Sequence, residues 1–159
     1  MNTSIEYYRG LPVKRMASGV LLLNDSGELL MVEPCYKPTW EIPGGVVENG
    51  ESPQSAAIRE VQEELQLKLV PEELNLVTLE YMGGSESKTE ALMFIFSGGV
   101  LSAEQQQQIV LPPDELRSYR FVALEKLPTV CPPVLMRRVL AGYHALQRGT
   151  FSYLEGAYT

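Results

Sequence analysis

The segment that begins at Ser52 most constrains the fold, because it carries a complete helix signature between strand-like runs. Ser52 suits the N-cap of a helix and Pro53 suits its first position. Ala57, Val61 and Leu65 recur at four-residue spacing and form one apolar stripe. The pattern predicts a helix that begins at Pro53, ends at Leu65 and packs one face against the core.

Short apolar runs on both sides of this helix predict strands. Each run is bounded by turn residues and has the length of a strand. The runs are Met16–Leu23, Glu28–Val32, Val46–Val47, Leu74–Tyr81, Ala91–Phe96 and Tyr119–Ala123. The first two are separated by a turn and predict a hairpin, whereas Thr150–Leu154 predicts either a late strand or a packed tail. A second helix is predicted over Pro132–Gln147, and its Arg137–Arg138 pair is expected to be solvated or to meet a phosphate.

Composition excludes several classes of protein. Hydrophobic residues make up 45% of the 159 residues, which argues against a disordered chain. No apolar run reaches the roughly 18 residues of a membrane span, and the first fifteen residues lack the apolar stretch of a signal peptide. Cys35 and Cys131 do not have a metal-binding spacing. We therefore expect a cytoplasmic protein with reduced thiols, although a disulfide stays open.

The acidic charge is concentrated in one segment. The net charge of −7 argues against nucleic-acid partners. Residues 41–90 contain eleven acidic and three basic residues, whereas the rest of the chain holds nine acidic and ten basic residues. A solvated acidic surface or a metal site would each account for this concentration.

Three glutamates of the first helix, Glu60, Glu63 and Glu64, are spaced to fall on one side of it. Like charges so placed repel by about 0.2–0.5 kcal/mol per pair, and Arg59 is the only base nearby in the sequence. Mg²⁺ prefers oxygen ligands. The arrangement therefore fits a divalent-cation site better than it fits a helix built for stability alone.

These glutamates belong to a run with fixed spacing. The run has glycine, five residues, glutamate, seven residues, arginine-glutamate, an aliphatic residue, any residue, two glutamates, any residue, a glycine position and an aliphatic residue. Its matching members are Gly45, Glu51, Arg59, Glu60, Val61, Glu63, Glu64 and Leu67. The run resembles the signature box of the Nudix hydrolases, except that Gln66 stands where the box has glycine.

The resemblance extends beyond the box and implies a fold. Residues 40–45 resemble the usual lead-in, and Arg120–Val122 with Leu124–Pro128 resembles a later strand and turn. The family implies an α/β fold, an α/β/α sandwich around a mixed sheet. We expect one domain over residues 1–159, with the box at 45–67 and peripheral segments at 1–14 and 150–159. Because the missing glycine usually closes the helix, Gln66 is expected to affect the helix exit and not the metal.

The resemblance also implies a reaction. Nudix enzymes hydrolyse a pyrophosphate bond in a nucleoside diphosphate linked to another moiety, by attack of water at phosphorus, and they use Mg²⁺ or Mn²⁺. Carried over by position, the main metal ligands are Glu60 and Glu64. Glu63 is an additional ligand or supports the others, and the carbonyl of Gly44 is a further ligand.

The same resemblance suggests roles in catalysis. Arg59 and Glu51 match a pair that orients the loop against the helix. The general base is either a box glutamate, here Glu63, or a glutamate from a later loop, here Glu115. Glu115 could equally be a surface or capping carboxylate, so both candidates stay open.

Three residues before the box are candidates for binding substrate. Tyr36 and Lys37 could touch a phosphate or a base, or could be solvated loop residues. Trp40 could stack on the substrate or pack beneath the box.

The expected partner is a small nucleotide, without stable nucleic-acid binding or a membrane, and a homodimer is possible. Two alternatives to the enzyme are a catalytically silent domain that binds or senses nucleotides and an unrelated acidic interaction module. The nucleotide derivative itself is left open by the sequence.

Overall fold

The computed structural model describes residues 5–158, and within them seven strands form one mixed sheet. The strands are β1 (Arg15–Leu23), β2 (Leu29–Pro34), β3 (Gly44–Val46), β4 (Asn75–Gly83), β5 (Ala91–Val100), β6 (Leu116–Val122) and β7 (Ser152–Ala157). The α-helices of the described residues are α1 (Ile5–Arg9), α2 (Pro53–Leu65), α3 (Ala103–Gln107) and α4 (Pro133–Arg148). None of these helices is long and apolar enough to cross a bilayer.

The order of strands in the sheet is β6-β2-β1-β5-β4-β7, and β3 pairs with β1. The β1–β5 and β4–β7 pairs are parallel, and the other pairs are antiparallel. The predicted β1–β2 hairpin is present, but its ladder contains only the pair Leu23–Leu29. The edge of β1 at Ala17–Gly19 is instead occupied by β3, which brings Gly44 and the first box residue, Gly45, to the middle of the sheet.

Alternation along β1 gives the sheet two apolar faces. Val20 and Leu22 belong to the core cluster that contains Val61 of α2. Leu21 belongs to the opposite cluster, together with Val139 of α4. The two long helices therefore cover opposite faces, and the predicted α/β/α sandwich is confirmed.

The helix predicted from Ser52 has the predicted bounds. The Ser52 side chain accepts a hydrogen bond from the Ser55 backbone nitrogen, and Pro53 occupies the first turn. At the other end, Gln66 adopts the left-handed conformation, with φ 58° and ψ 23°. The residue that replaces the box glycine thus lies at the helix exit, as predicted.

The C-terminal segment forms an edge strand, which is the first of the two alternatives given for Thr150–Leu154. β7 (Ser152–Ala157) extends the sheet by pairing in parallel with β4. Arg137 of α4 fastens this edge strand, because its Nη2 donates to the Glu155 carbonyl at 2.8 Å. Of the other predicted peripheral segment, residues 1–4 lie outside the described residues, as does residue 159.

Candidate active site

Two glycines of β3 allow the helix glutamates to approach the sheet. A Cβ on Gly44, whose φ is +151°, would lie 2.1 Å from the Ser18 carbonyl oxygen. A Cβ on Gly45 would lie 2.3 Å from Oε1 of Glu60. Any side chain at either position would therefore displace β1 or the Glu60 carboxylate.

Arg59 ties this strand, the preceding loop and the helix together. Its Nε and Nη2 donate to the two carboxylate oxygens of Glu51 at 2.9 and 3.1 Å, and Nη2 also donates to the Val46 carbonyl at 3.0 Å. This bidentate fork of two hydrogen bonds from Arg59 holds the pKa of Glu51 below its usual value, and the same hydrogen bonds raise the pKa of Arg59. The structure thus brings the predicted Arg59–Glu51 pair into direct contact.

Glu64 is the most buried of the three glutamates that the box places on α2. Its Oε2 accepts a hydrogen bond from the Gly44 backbone nitrogen at 3.1 Å. Burial raises the pKa of Glu64 to about 8, against the lowering effect of that hydrogen bond, and the charges of Glu60, Glu41 and Glu115 raise it further. Since burial disfavours the ionised form of this carboxyl, a cation bound beside it would stabilise that form.

Glu60 and Glu63 both accept hydrogen bonds from Nη1 of Arg59, at 2.9 and 3.1 Å. Burial nevertheless raises the pKa of Glu60 above its usual value, although Arg59 opposes the shift. Glu63 is more open, with 55% of its side chain exposed. The two carboxylates therefore share one guanidinium but differ in their access to solvent.

Glu115 lies in the turn directly before β6, the strand that contains Arg120. Its carbonyl accepts a hydrogen bond from the Cys35 backbone nitrogen at 2.8 Å. Although its side chain is exposed, its charge raises the pKa of both Glu60 and Glu64. The structure thus brings both candidates for the general base, Glu63 and Glu115, to the box glutamates and does not choose between them.

The donor atoms suit a hard divalent cation, but they are not gathered around one point. Among residues 5–158, no three carboxylate, imidazole or thiol groups already form a metal-binding cluster. Arg59 holds Glu60 and Glu63, while Gly44 holds Glu64. The buried Glu64 carboxylate beside three other acidic side chains still provides the oxygen-rich, negatively charged setting that Mg²⁺ and Mn²⁺ prefer.

A cavity of about 230 Å³ opens beside the two glycines, on the face of the sheet that α4 covers. Its polar lining includes Tyr36, Lys37 and Glu41, and Lys37 forms an ion pair with Glu41. The Lys37 Nζ also lies 5.6 Å from the centre of the Tyr36 ring, which is largely exposed at the mouth. Two of the three predicted substrate-binding residues therefore line a cavity next to the box.

Trp40, the third, lies elsewhere. Its ring packs against the core cluster under α4, with the Arg120 guanidinium carbon 4.2 Å from the ring centre. Trp40 is not among the residues that line the cavity. This position favours packing beneath the box, and contact with substrate stays a prediction.

Sequence reasoning missed two acidic residues and misplaced an arginine. Glu41 lines the cavity, and its charge raises the pKa of Glu64. Its position in the lead-in to the box was the signal that could have identified it as a site residue. Arg138 was expected to be solvated or to meet a phosphate, yet it is 7% exposed and pairs with Glu80, which is fully buried. The position of Arg138 three residues after Leu135, within the apolar stripe of the helix, was the available signal.

Comparisons with known sequences agree with the motif. The sequence matches the family model of the NUDIX domain over residues 13–141. The MutT-like protein of Streptomyces ambofaciens is 32% identical over 109 residues, which cover 66% of this chain and 68% of that protein. The putative 8-oxo-dGTP diphosphatase of Bacillus subtilis (strain 168) is 47% identical over 45 residues. That shorter match covers 28% of this chain and 30% of the relative, so it spans less than a third of the relative's length.

Solved structures share the architecture. The MutT protein from Methanosarcina mazei Go1 has a TM-score of 0.64 at 22% identity, covering 88% of this chain and 98% of that chain. A UDP-X diphosphatase has a TM-score of 0.68 at 18% identity, covering 91% of this chain and 68% of that chain. At these identities the likeness shows the fold alone.

Proposed function

The chain belongs to the Nudix family, and from that premise we propose that it hydrolyses a pyrophosphate bond in a nucleoside diphosphate linked to another moiety. The observation that carries the proposal is the meeting of box glutamates, paired glycines and cavity at one strand. Gly45 lines the cavity, and the Glu60 carboxylate lies where a Cβ of residue 45 would be. Only the backbone of Gly45 therefore stands between the carboxylate and the cavity. A substrate in the cavity would place its phosphates beside the glutamates.

The proposed reaction depends on a divalent ion, Mg²⁺ or Mn²⁺. Glu60 and Glu64 would be its main ligands, with Glu63 and the Gly44 carbonyl as further ligands. When bound, such an ion neutralises phosphate charge and lowers the pKa of a bound water. The chain's contribution is a set of oxygen donors on one helix and one strand, whose separation is fixed by the Glu64–Gly44 hydrogen bond.

Arg59 acts in this proposal as a positioning residue. Its fork on Glu51 and its bond to the Val46 carbonyl hold the loop and the strand in register with the helix. The attacking water would lose its proton to Glu63 or Glu115. Both stay candidates, because Glu63 lies on the box helix and the charge of Glu115 acts on Glu60 and Glu64.

We propose a single nucleotide derivative as the substrate. The cavity of about 230 Å³ is smaller than the roughly 300–1,000 Å³ of typical ligand pockets, so it suits one part of a nucleotide. The names of the relatives point to nucleotide chemistry in the same way, because one is called an 8-oxo-dGTP diphosphatase. A homodimer, a cytoplasmic location and the absence of nucleic-acid binding stay predictions.

The test is a panel of nucleotide derivatives assayed with Mg²⁺ and with Mn²⁺, with the products identified. Wild type should cleave a pyrophosphate bond, and Glu64→Gln should abolish turnover while the circular dichroism spectrum stays unchanged. Glu72→Gln, at an exposed glutamate outside the cluster, is the matched control and should keep full activity.

Two results would overturn the proposal. Undiminished activity in Glu64→Gln would refute the site. Absence of metal-dependent turnover, together with a nucleotide that raises the melting temperature, would favour the catalytically silent domain instead.

A further inference from the structure

A buried ion pair lies at the α4 wall of the cavity, away from the box glutamates. Glu80, in the middle of β4, is fully buried, and Nε of Arg138 donates to its Oε2. Nη1 of Arg137 donates to the other oxygen at 3.3 Å. A buried pair of this kind is often no more stabilising than apolar side chains of the same volume. Its presence therefore calls for a use other than stability.

Arg138 has hydrogen-bonding capacity to spare. A guanidinium carries five N–H donors, and only the Nε donor has a partner within residues 5–158. Neither Nη nitrogen is among the sealed atoms that lack a partner in this part of the chain, so each keeps some accessible surface. Arg138 lines the cavity, and its unused donors are therefore available to an occupant.

The surface around Arg138 is apolar and suits a flat ring. Met93 and Ile95 of β5 and Leu135 of α4 line the cavity beside it. Met93 is paired across the sheet with Glu80, so the anchor of Arg138 and the cavity floor share one row of the sheet. Because Glu80 fixes the Nε edge, the two Nη groups present their donors with little freedom to rearrange.

Fixed donors of this kind discriminate between nucleobases. Guanine presents two adjacent acceptors, O6 and N7, which a guanidinium binds in a bidentate manner, whereas adenine presents one acceptor and one donor on the same edge. We propose that Arg138, held by Glu80, is a specificity-determining residue that selects guanine over adenine in the cavity. This inference rests on the proposed function, because it assigns the base of the same nucleotide substrate.

The test compares the two bases with the same phosphates. We would measure kcat/KM for GTP and ATP under one metal condition, and the binding of GMP and AMP by calorimetry. Wild type should prefer guanine by about tenfold to a hundredfold in both measurements. Arg138→Lys should remove most of this preference, because it should weaken the binding of GMP and lower kcat/KM for GTP while the values for AMP and ATP change little. If Arg138 had a purely structural role, the substitution would weaken the binding of guanine and adenine nucleotides equally.

Arg137→Lys is the matched control, since Arg137 contacts the same glutamate but does not line the cavity. It should keep the wild-type preference. If Arg138→Lys fails to fold, the double variant Glu80→Gln/Arg138→Met, which removes both buried charges together, should fold and show no guanine preference.

The possible failures can be told apart. Equal use of GTP and ATP by wild type, or an unchanged ratio in the folded Arg138 variants, would overturn this inference and leave the proposed function standing. Binding of GMP over AMP that depends on Arg138, without cleavage of any nucleotide, would support the inference and refute the proposed hydrolysis.

Discussion

Replacement of Gln66 by glycine should stabilise the protein, although glycine is ordinarily a poor residue for a helix. Among residues 5–158, Gln66 is the only non-glycine residue with positive φ. The left-handed conformation costs an L-residue about 1–2 kcal/mol. Glycine adopts it without that steric cost and is the commonest residue at such a helix end.

Two smaller effects oppose the gain. Glycine makes the unfolded chain more flexible, which costs about 0.5–1 kcal/mol. The Gln66 side chain also contributes a weak, exposed contact, with its Oε1 3.5 Å from Nε2 of Gln62. The hydrogen bond from the Gln66 backbone nitrogen to the Gln62 carbonyl, at 3.1 Å, is retained by any residue. The net expectation is a stabilisation of about 0.5–1 kcal/mol, or about 1–4 °C in Tm.

Reversible urea unfolding, followed by circular dichroism, measures this change. Gln66→Ala is the control, because alanine removes the same side-chain contact but keeps the Cβ that makes the conformation costly. It should be no more stable than wild type. Because the substitution lies at the helix exit, nucleotide hydrolysis should be unchanged. A midpoint for Gln66→Gly at or below that of Gln66→Ala would refute the argument from backbone strain.

Two further predictions concern the site. Burial raises the folded-state pKa of Glu64 to about 8 when no metal is bound, above its ordinary value of 4.5, so between these values the metal-free native state binds more protons than the unfolded state. The comparison is therefore made in EDTA. Wild-type stability should therefore fall relative to Glu64→Gln as the pH rises from 4.5 towards 8, by an amount on the order of a few kcal/mol. A stability difference that is flat across this range in urea titrations would contradict it. Gly44→Ala should destabilise the fold by more than about 2 kcal/mol, because its Cβ would overlap a β1 carbonyl, whereas nothing lies within 4 Å of a Cβ at Gly50. Thermal melts of both variants test this, and an equal loss of stability for Gly44→Ala and Gly50→Ala would show that the close approach is unimportant.

The parts of the structure that were predicted correctly depend on local signals. Ser52, Pro53 and the apolar stripe act within a few residues of one another, so the bounds of α2 follow from the sequence. The Arg59–Glu51 contact was expected from the family spacing, and it joins residues only eight apart. The metal ligands and the general base remain predictions. In the described residues, Arg59 and Gly44 hold the glutamate side chains, and the carboxylates are not gathered around one point.

The parts that were not predicted depend on distant contacts. Glu80 and Arg138 are 58 positions apart, and no spacing rule links them. Arg137 and Arg138 look alike in the sequence, yet adjacent helix positions point in different directions. One of them is therefore half exposed while its neighbour is buried. The pairing of β7 with β4 likewise depends on an edge that the folded sheet provides.

The position of the acidic residues bears on how a chain with a net charge of −7 would accept the proposed phosphate substrate. Glu60 and Glu64 lie against Gly45 and Gly44, and Arg138, with its unused donors, belongs to the lining of the cavity beside these glycines. Without metal, the raised pKa of Glu64, about 8, keeps a proton on its carboxyl near neutral pH, so part of the negative charge is absent. A divalent ion must compete with that proton for the same oxygen atoms. Metal affinity should consequently rise with pH until Glu64 is ionised, and the site should repel phosphate least when the ion has replaced the proton.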